Sequence, residues 1–324
     1  MRNRYFHVWS RAAQPAVLPD TIEFGTSLDK GKGPPATAPA AFLAAAAGHI
    51  DIPEAGVPGS LLATARTRYP AQVYATPQAS TNWVILNTHR LPFSNVHARR
   101  ALAFALDRTQ MVANDGGSDL ATPTCQLLPP GMPGYKPYCP FTAGPQTGRW
   151  TAPDLSRARE EVRRSGTRGA RVSVITTDQS PNFGNQNLAV AAALRELGYR
   201  VSVKHYATDN AYFSAAYNDA RRIDAAVSGW AQDYPAPSNF FSALHCPNGQ
   251  YCHPTLDRQV ARASAAAAAT GSNDPWTQLD RRASWAAYYV PFINPKAVDF
   301  VSKRVGNAQH HPVFDLLIDQ LWVH

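Results

Sequence analysis

The chain has 324 residues, 44% hydrophobic and 17% charged, a globular balance that argues against disorder and leaves room for about two domains of roughly 150 residues each. Its formal net charge is +8, which raises nucleic acid as a partner. The basic residues argue against nucleic acid, because they come as scattered doublets such as Arg99–Arg100, Arg163–Arg164 and Arg281–Arg282, without a long basic run or a helix-turn-helix, zinc-finger or RNA-binding aromatic motif.

In chain order, Thr21–Phe24 reads as a short strand and Ala40–Ala47 as a helix closed by Gly48, a favoured C-cap residue. That helix is the most apolar run and is far too short to span a membrane. Ile50 and Ile52 alternate around Asp51 in an extended segment, and Ala71–Ala75 and Trp83–Asn87 are rich in β-formers. Val96–Val112 reads as one helix, with Leu102, Ala105 and Leu106 on its apolar stripe and Arg99 and Arg100 outside it. Asp107–Arg108 reads as an exposed or locally paired turn. Residues 114–153 are turns and loops.

The clearest α/β unit follows. Pro153–Ser165 is a polar helix, Val172–Thr176 a strand, Asn185–Leu197 a helix stopped by Gly198, and Tyr199–Tyr206 a strand. Strand, helix, glycine and strand predict a parallel crossover. A helix at Ala211–Ala220, a strand at Asp224–Ser228, helices at Leu256–Ala268 and Trp276–Tyr288, and short strand-like pieces at Val298–Val301 and Leu316–Val323 complete the chain.

The four cysteines form two local pairs, Cys125/Cys139 and Cys246/Cys252, in Pro/Gly-rich loops. Neither pair has the C-x(2–4)-C spacing of a zinc knuckle, so two loop-closing disulfides and an oxidising compartment are expected. No apolar export segment follows Met1, and this points to a natural N-terminus farther upstream.

Few stretches carry chemistry. No G-x-S-x-G elbow, P-loop, G-x-G-x-x-G after a strand or H-E-x-x-H occurs; no catalysis, cofactor or metal is expected. The adjacent His310–His311 reads as a surface pair without an acidic partner, and His49 with Asp51 as a strand entry. The informative stretch is residues 227–241, in which a buried strand ends in Gly229 and then presents Trp230, Asp233 and Tyr234 on a proline-bounded loop. Ligands bind beyond the carboxyl ends of strands in parallel sheets. An aromatic platform with one carboxylate suits a cationic or amphipathic small ligand. The residues equally allow Asp233 to cap a turn and Trp230 to pack in the core.

Four blocks together resemble the bacterial extracellular solute-binding proteins of family 5, the dipeptide and oligopeptide receptors of ABC importers. Residues 2–9 are similar to the family's Asn-Pro-x-Tyr-Trp region, and Ala47-Gly-His-Ile-Asp51 to its Gly-x-x-Asp segment. Asn87-Thr-His-Arg-Leu-Pro-Phe-Ser-Asn, continuing to Asp107–Arg108, resembles the Asn-x-x-x-x-Pro-Phe-x-Asp helix block, and Gly229-Trp-Ala-Gln-Asp-Tyr234 the Gly-Trp-x-x-Asp-Tyr loop.

The resemblance implies an α/β, periplasmic-binding-protein-like two-lobe fold of the peptide-receptor class. Because the match starts at the family's middle, the N-terminal part of lobe one and the extra small domain are expected to be missing. Residues 1–113 would be a partial lobe one, 114–298 lobe two and 299–324 a C-terminal return to lobe one. The implied function is an extracytoplasmic receptor that binds a peptide or similar small solute in an interlobe cleft and delivers it to membrane permease subunits. In this carry-over Asp233 receives the ligand's free α-amino group and the backbone of Ser228, Gly229, Trp230 and Ala231 pairs with an extended peptide. Tyr234 borders the loop, and Asn87 faces the cleft from the other lobe, with His89 and Phe93 as further candidates. A ligand-sensing module of an intracellular regulator, or a non-functional truncated fragment, is the alternative.

Overall fold

The computed structural model describes residues 7, 19, 21–24, 37–54, 56–218, 223–242, 254–311 and 314–323. Among them the helices are α1 (Ala38–Ala46), α2 (Leu62–Arg68), α3 (Val96–Ala105), α4 (Arg108–Asn114), α5 (Leu155–Ser165), α6 (Pro181–Glu196), α7 (Asp209–Asn218), α8 (Pro237–Ser242), α9 (Pro254–Thr270) and α10 (Asp274–Trp285). The strands are β1 (Val73–Pro77), β2 (Ser80–Leu86), β3 (Ala121–Pro123), β4 (Arg171–Thr177), β5 (Arg200–Tyr206), β6 (Ala225–Ala231), β7 (Tyr289–Phe300), β8 (Val305–Gly306), β9 (His310–His311), β10 (Asp315–Leu316) and β11 (Trp322–Val323). Thr21–Phe24 is described without regular structure. The Cys246/Cys252 pair and nearly all of the first resemblance block lie outside the described residues. Among the described residues no helix is long and apolar enough to cross a membrane.

The chain divides into two compact units, residues 1–78 with 296–324, and residues 79–295. Residues 79–113 therefore pack with the second unit, where the sequence reading placed them in a partial lobe one. The reason is visible in α3: Ala98, Ala101, Leu102 and Phe104 are buried in the same cluster as Val172, Val190 and Val227.

In unit one, β1 pairs antiparallel with the second half of β7, from Val73↔Phe300 to Pro77↔Lys296. Phe42 of α1, Tyr69 and Phe300 meet edge to face at 5.2–6.4 Å, a geometry favoured by the ring quadrupoles. Asp51 anchors the segment after α1: its carboxylate accepts from Ser302 Oγ at 2.6 Å and pairs with Arg304 Nη2 at 2.6 Å. The Arg304 guanidinium lowers the Asp51 carboxyl below its usual range.

Unit two is a sheet of order β7-β2-β6-β4-β5, with β3 on the outer side of β7. β2 runs antiparallel to both β7 and β6. β4 runs parallel to β5 over its whole length, from Arg171↔Arg200 to Thr177↔Tyr206, as the strand–helix–glycine–strand pattern predicts. Alternate residues face opposite sides of a strand, and the two cores follow that period. Val84 and Leu86 of β2, Val174 of β4 and Val227 of β6 face one layer, built from α3, α4, α5 and α6. Trp83, Ile85, Ile175 and Ala226 face the other, built from α7 to α10. The sheet is thus covered by helices on both faces, the arrangement expected of parallel α/β strands.

Two further expectations change. The helix Val96–Val112 is broken: α3 ends at Ala105, and Asp107 starts α4 by accepting from the backbone N–H of Thr109 at 2.8 Å and of Gln110 at 3.2 Å. An aspartate with extended backbone is a strong N-cap, so it begins a helix where the apolar period alone continues one. The strand expected at Val298–Val301 is the end of the twelve-residue β7. Pro291 and Pro295 argue against a long internal strand. The ladder accommodates Pro291 with a register shift opposite Asn82 and Trp83, and Pro295 lies opposite Ala121 of the three-residue β3.

Candidate functional site

The loop after β6 is built by three features. β6 is buried from Ala225 to Ser228 and emerges at Gly229. Gly229 lies against β2 so closely that a Cβ there would overlap the Asn82 Oδ1 atom, and a larger residue would have to displace that side chain. Pro235 and Pro237 then turn the chain into α8, with the Asn239 backbone N–H closing on Ala236 O at 3.0 Å.

Asn239 is buried, and its side-chain amide organises the loop. Its Oδ1 accepts from the Trp230 indole Nε1–H at 3.2 Å and from the Asp233 backbone N–H at 2.9 Å. Its Nδ2 donates to Asp233 Oδ2 at 2.9 Å. Two N–H donors converging on one side of the amide dictate its orientation. Trp230 rests half-buried against the second core layer. Asp233 and Tyr234 are exposed, and Asp233 Oδ1 has no protein partner among the described residues. The two readings left open by the sequence thus resolve residue by residue: Trp230 packs, Asp233 presents its carboxylate, and the turn is held by Asn239.

The backbone beside this loop is also distinctive. β2 is paired with β6 from Ala225 to Ala231. On the other side β4 is in register with β6 only at Ala225. Past that point Asn187 Oδ1 accepts from Val227 N–H at 2.9 Å and Tyr212 OH donates to Val227 O at 2.7 Å. Among the described residues no strand pairs with this edge of β6 over Ser228, Gly229, Trp230 and Ala231. The Ser228 side chain is withdrawn from that edge and hydrogen-bonds the Tyr217 hydroxyl.

The other sequence candidates are placed elsewhere. Leu86 pairs with Ala225 and Ser80 with Ala231, so Asn87 follows the end of β2 farthest from the Trp230 loop. It is 1% exposed, donates its amide to Ile223 O at 3.1 Å and accepts from His89 N–H at 3.2 Å. Phe93 is 0% exposed in the first core cluster, a packing role. His89 is exposed. The structure brings neither Asn87, His89 nor Phe93 to the loop.

Three residues set aside by the sequence reading have other surroundings. Arg108, read as part of an exposed or locally paired turn, is fully buried, and its guanidinium donates to the carbonyls of Thr124, Pro291, Ala103 and Leu106 at 2.7–3.3 Å. Burial lowers its pKa to about 9. Arg99 is likewise buried and caps carbonyls of Phe93, Ala286 and Ala287. A guanidinium can satisfy several carbonyls at once, which is why these cations turn inward. His310, read as a surface residue without an acidic partner, has a side chain 7% exposed with Nε2 3.0 Å from Asp299 Oδ2, stacked on Tyr74 at 5.1 Å.

Cys125 and Cys139 form a disulfide, as expected from their pairing. The loop they close is docked on α10 by Asp280, whose buried carboxylate accepts from Gln126 Nε2 at 2.8 Å and from the N–H groups of Leu127 and Leu128 at 3.0 and 3.4 Å.

A model described as bacterial extracellular solute-binding proteins, family 5 Middle, matches residues 4–251. The chain belongs to this family. The Periplasmic oligopeptide-binding protein OppA of Haemophilus influenzae is 26% identical over 265 residues, which are 78% of this chain and 48% of the relative. A solved "Clavulanic acid biosynthesis oligopeptide binding protein 2" superposes with a TM-score of 0.78 at 22% identity, over 89% of this chain and 55% of that one. A dipeptide-binding protein from Pseudoalteromonas sp. SM9913, solved in complex with Met-Leu, superposes with a TM-score of 0.68 at 18% identity, over 89% of this chain and 57% of that one. These likenesses establish the α/β fold of periplasmic peptide-binding proteins. The chain spans about half the length of the curated relatives it matches.

Within this family-5 chain, Asn239 is the site residue that sequence reasoning missed. The signal was present, since Asn239 closes the same proline-bounded stretch six positions after Asp233. Its role needs three groups to converge, and linear spacing does not show that.

Proposed function

We propose that this chain supplies part of the extracytoplasmic receptor of an ABC importer and binds the amino-terminal end of a peptide along β6. One observation carries this reading: past Val227 the edge of β6 has no partner strand among the described residues, and it runs through the half-buried Gly229 and the exposed Ala231 to the exposed Asp233. An extended peptide added to that edge gains main-chain hydrogen bonds without regard to sequence. Its free ammonium then meets Asp233 Oδ1, a charge-assisted contact. The Trp230 ring and Tyr234 supply apolar area beside the first side chain.

The ligand would be enclosed in an interlobe cleft, the rest of which comes from family regions that this chain does not span. The membrane permease subunits are the partners to which such a receptor delivers its cargo. An extracytoplasmic setting is supported by the Cys125–Cys139 disulfide and by the periplasmic proteins among the relatives. Thermal-shift screening against free-amine di-, tri- and oligopeptides tests the reading, since a ligand that binds the folded state raises Tm. A cooperative melt with no shift from any of them would reject it for this chain.

A further inference from the structure

We infer that Asn239 is the positioning residue of the ligand-binding loop, and this rests on the peptide-receptor reading of Asp233. Its single amide makes three contacts that no other side chain at that position reproduces: Oδ1 holds the Trp230 indole and the Asp233 backbone, and Nδ2 holds one oxygen of the Asp233 carboxylate. The amide is 2% exposed, so water does not replace these bonds at little cost. It sits on α8, anchored by the buried Phe240 and Phe241 of the second core. A core-anchored residue therefore sets both halves of the binding platform.

The consequence is geometric. Asp233 lies on an exposed loop, where a carboxylate otherwise samples several rotamers. Holding Oδ2 leaves Oδ1 of this exposed residue as the oxygen free for a ligand. The same amide fixes the Trp230 ring relative to that oxygen. A ligand ammonium and the first side chain thus meet surfaces set in advance, which cuts the ordering cost of binding.

Two variants separate the contacts. Asn239→Leu keeps the volume and removes all three bonds. Asn239→Asp keeps an acceptor for Trp230 Nε1–H and Asp233 N–H and replaces the amide donor, 2.9 Å from Asp233 Oδ2, by a second carboxyl, so that the two carboxyls share one proton or repel. In the ligand-free full chain, labelled at tryptophan and aspartate nitrogen, Asn239→Leu moves the Trp230 indole and Asp233 amide resonances upfield. Asn239→Asp, read at a pH where the carboxyl pair carries a proton, leaves both in the range of hydrogen-bonded N–H groups. Unmoved resonances in Asn239→Leu would overturn the inference whatever the ligand proves to be. If Asn239→Leu does not fold, Asn239→Ala takes its place, and unmoved resonances there would overturn the inference instead.

Calorimetry with one dipeptide and its N-acetylated form supplies the second readout. Asn239→Leu lowers affinity for the free-amine form by about tenfold or more, the scale of a lost hydrogen bond to a charged group, and lowers affinity for the acetylated form, which meets only the Trp230 side of the platform, by less. Equal losses for both peptides, or none, would overturn the positioning role. If Asp233→Asn itself leaves free-amine binding intact, the peptide-amine reading fails, and the resonances still decide what Asn239 holds.

Discussion

Gln126, inside the disulfide-closed loop, donates its side-chain amide across 2.8 Å to the buried carboxylate of Asp280 on α10. The same carboxylate accepts from Leu127 and Leu128 N–H, and Lys136 of the loop pairs with Asp274 on the helix at 2.9 Å. Burial pushes the Asp280 carboxyl up to about 7, and the three hydrogen bonds offset part of that shift. A carboxyl that binds its proton more tightly when folded gives stability that is full below its unfolded pKa. That stability is lost as pH rises through the folded value. Between pH about 4 and about 7, Asp280 therefore lowers stability by up to about 1.4 kcal/mol per pH unit as pH rises. Denaturant melts of the native chain and Asp280→Asn across this range give a difference that changes with pH. A constant difference would remove the titration from Asp280.

The Cys125–Cys139 bridge closes a loop with a sequence separation of 14, and a bridge across a loop of that length contributes about 3 kcal/mol by restricting the unfolded chain. Cys125→Ser with Cys139→Ser lowers the unfolding free energy by about that amount. Thiol titration of the oxidised, denatured chain reads no free thiol if Cys246 and Cys252 are bridged as the sequence predicts. Two free thiols would refute that second bridge.

Arg108→Lys keeps the charge and removes the fork that reaches Thr124, Pro291, Ala103 and Leu106 carbonyls. Each buried carbonyl left without a donor costs about 1–3 kcal/mol, and ammonium geometry replaces only part of the set. The expected loss is at least about 1 kcal/mol, read as a lower urea midpoint at unchanged m-value. A midpoint equal to the native one would mean that the guanidinium fork of Arg108 is dispensable.

Asp233→Asn lowers affinity for a free-amine peptide by about 10- to 100-fold, the scale of a lost charge-assisted contact. Affinity for the N-acetylated peptide stays the same, and calorimetry distinguishes the two. Because Asp233 is exposed and makes one side-chain contact, Tm without ligand stays close to native. A large drop in Tm would instead assign Asp233 to the fold.

Much of the second unit was legible before any coordinates. β4, α6 and β5 follow from a period of two, a helical run and the left-handed Gly198 at φ 88°. The loop after β6 was legible too, because glycine, aromatic, acid and two prolines within nine residues leave few local conformations. The strand β7 was not, since prolines at 291 and 295 speak against an internal strand until β2 and β3 supply the register. Nor was the burial of Arg108, whose partners range from two to 183 residues away.

By itself the sequence determined the local grammar of this protein: most of its periods, the helix stop at Gly198, the Cys125–Cys139 pair, and the loop that carries Trp230 and Asp233. Those features depend on residues a few positions apart, so short-range sterics and hydrogen bonding decide them. Tertiary structure alone decided which polar groups turn inward. The inward cation of Arg108, the carboxylate of Asp280 and the amide of Asn239 are each stable only where several distant or converging partners satisfy them in a low-dielectric interior. That satisfaction is a property of the assembled core, not of any segment.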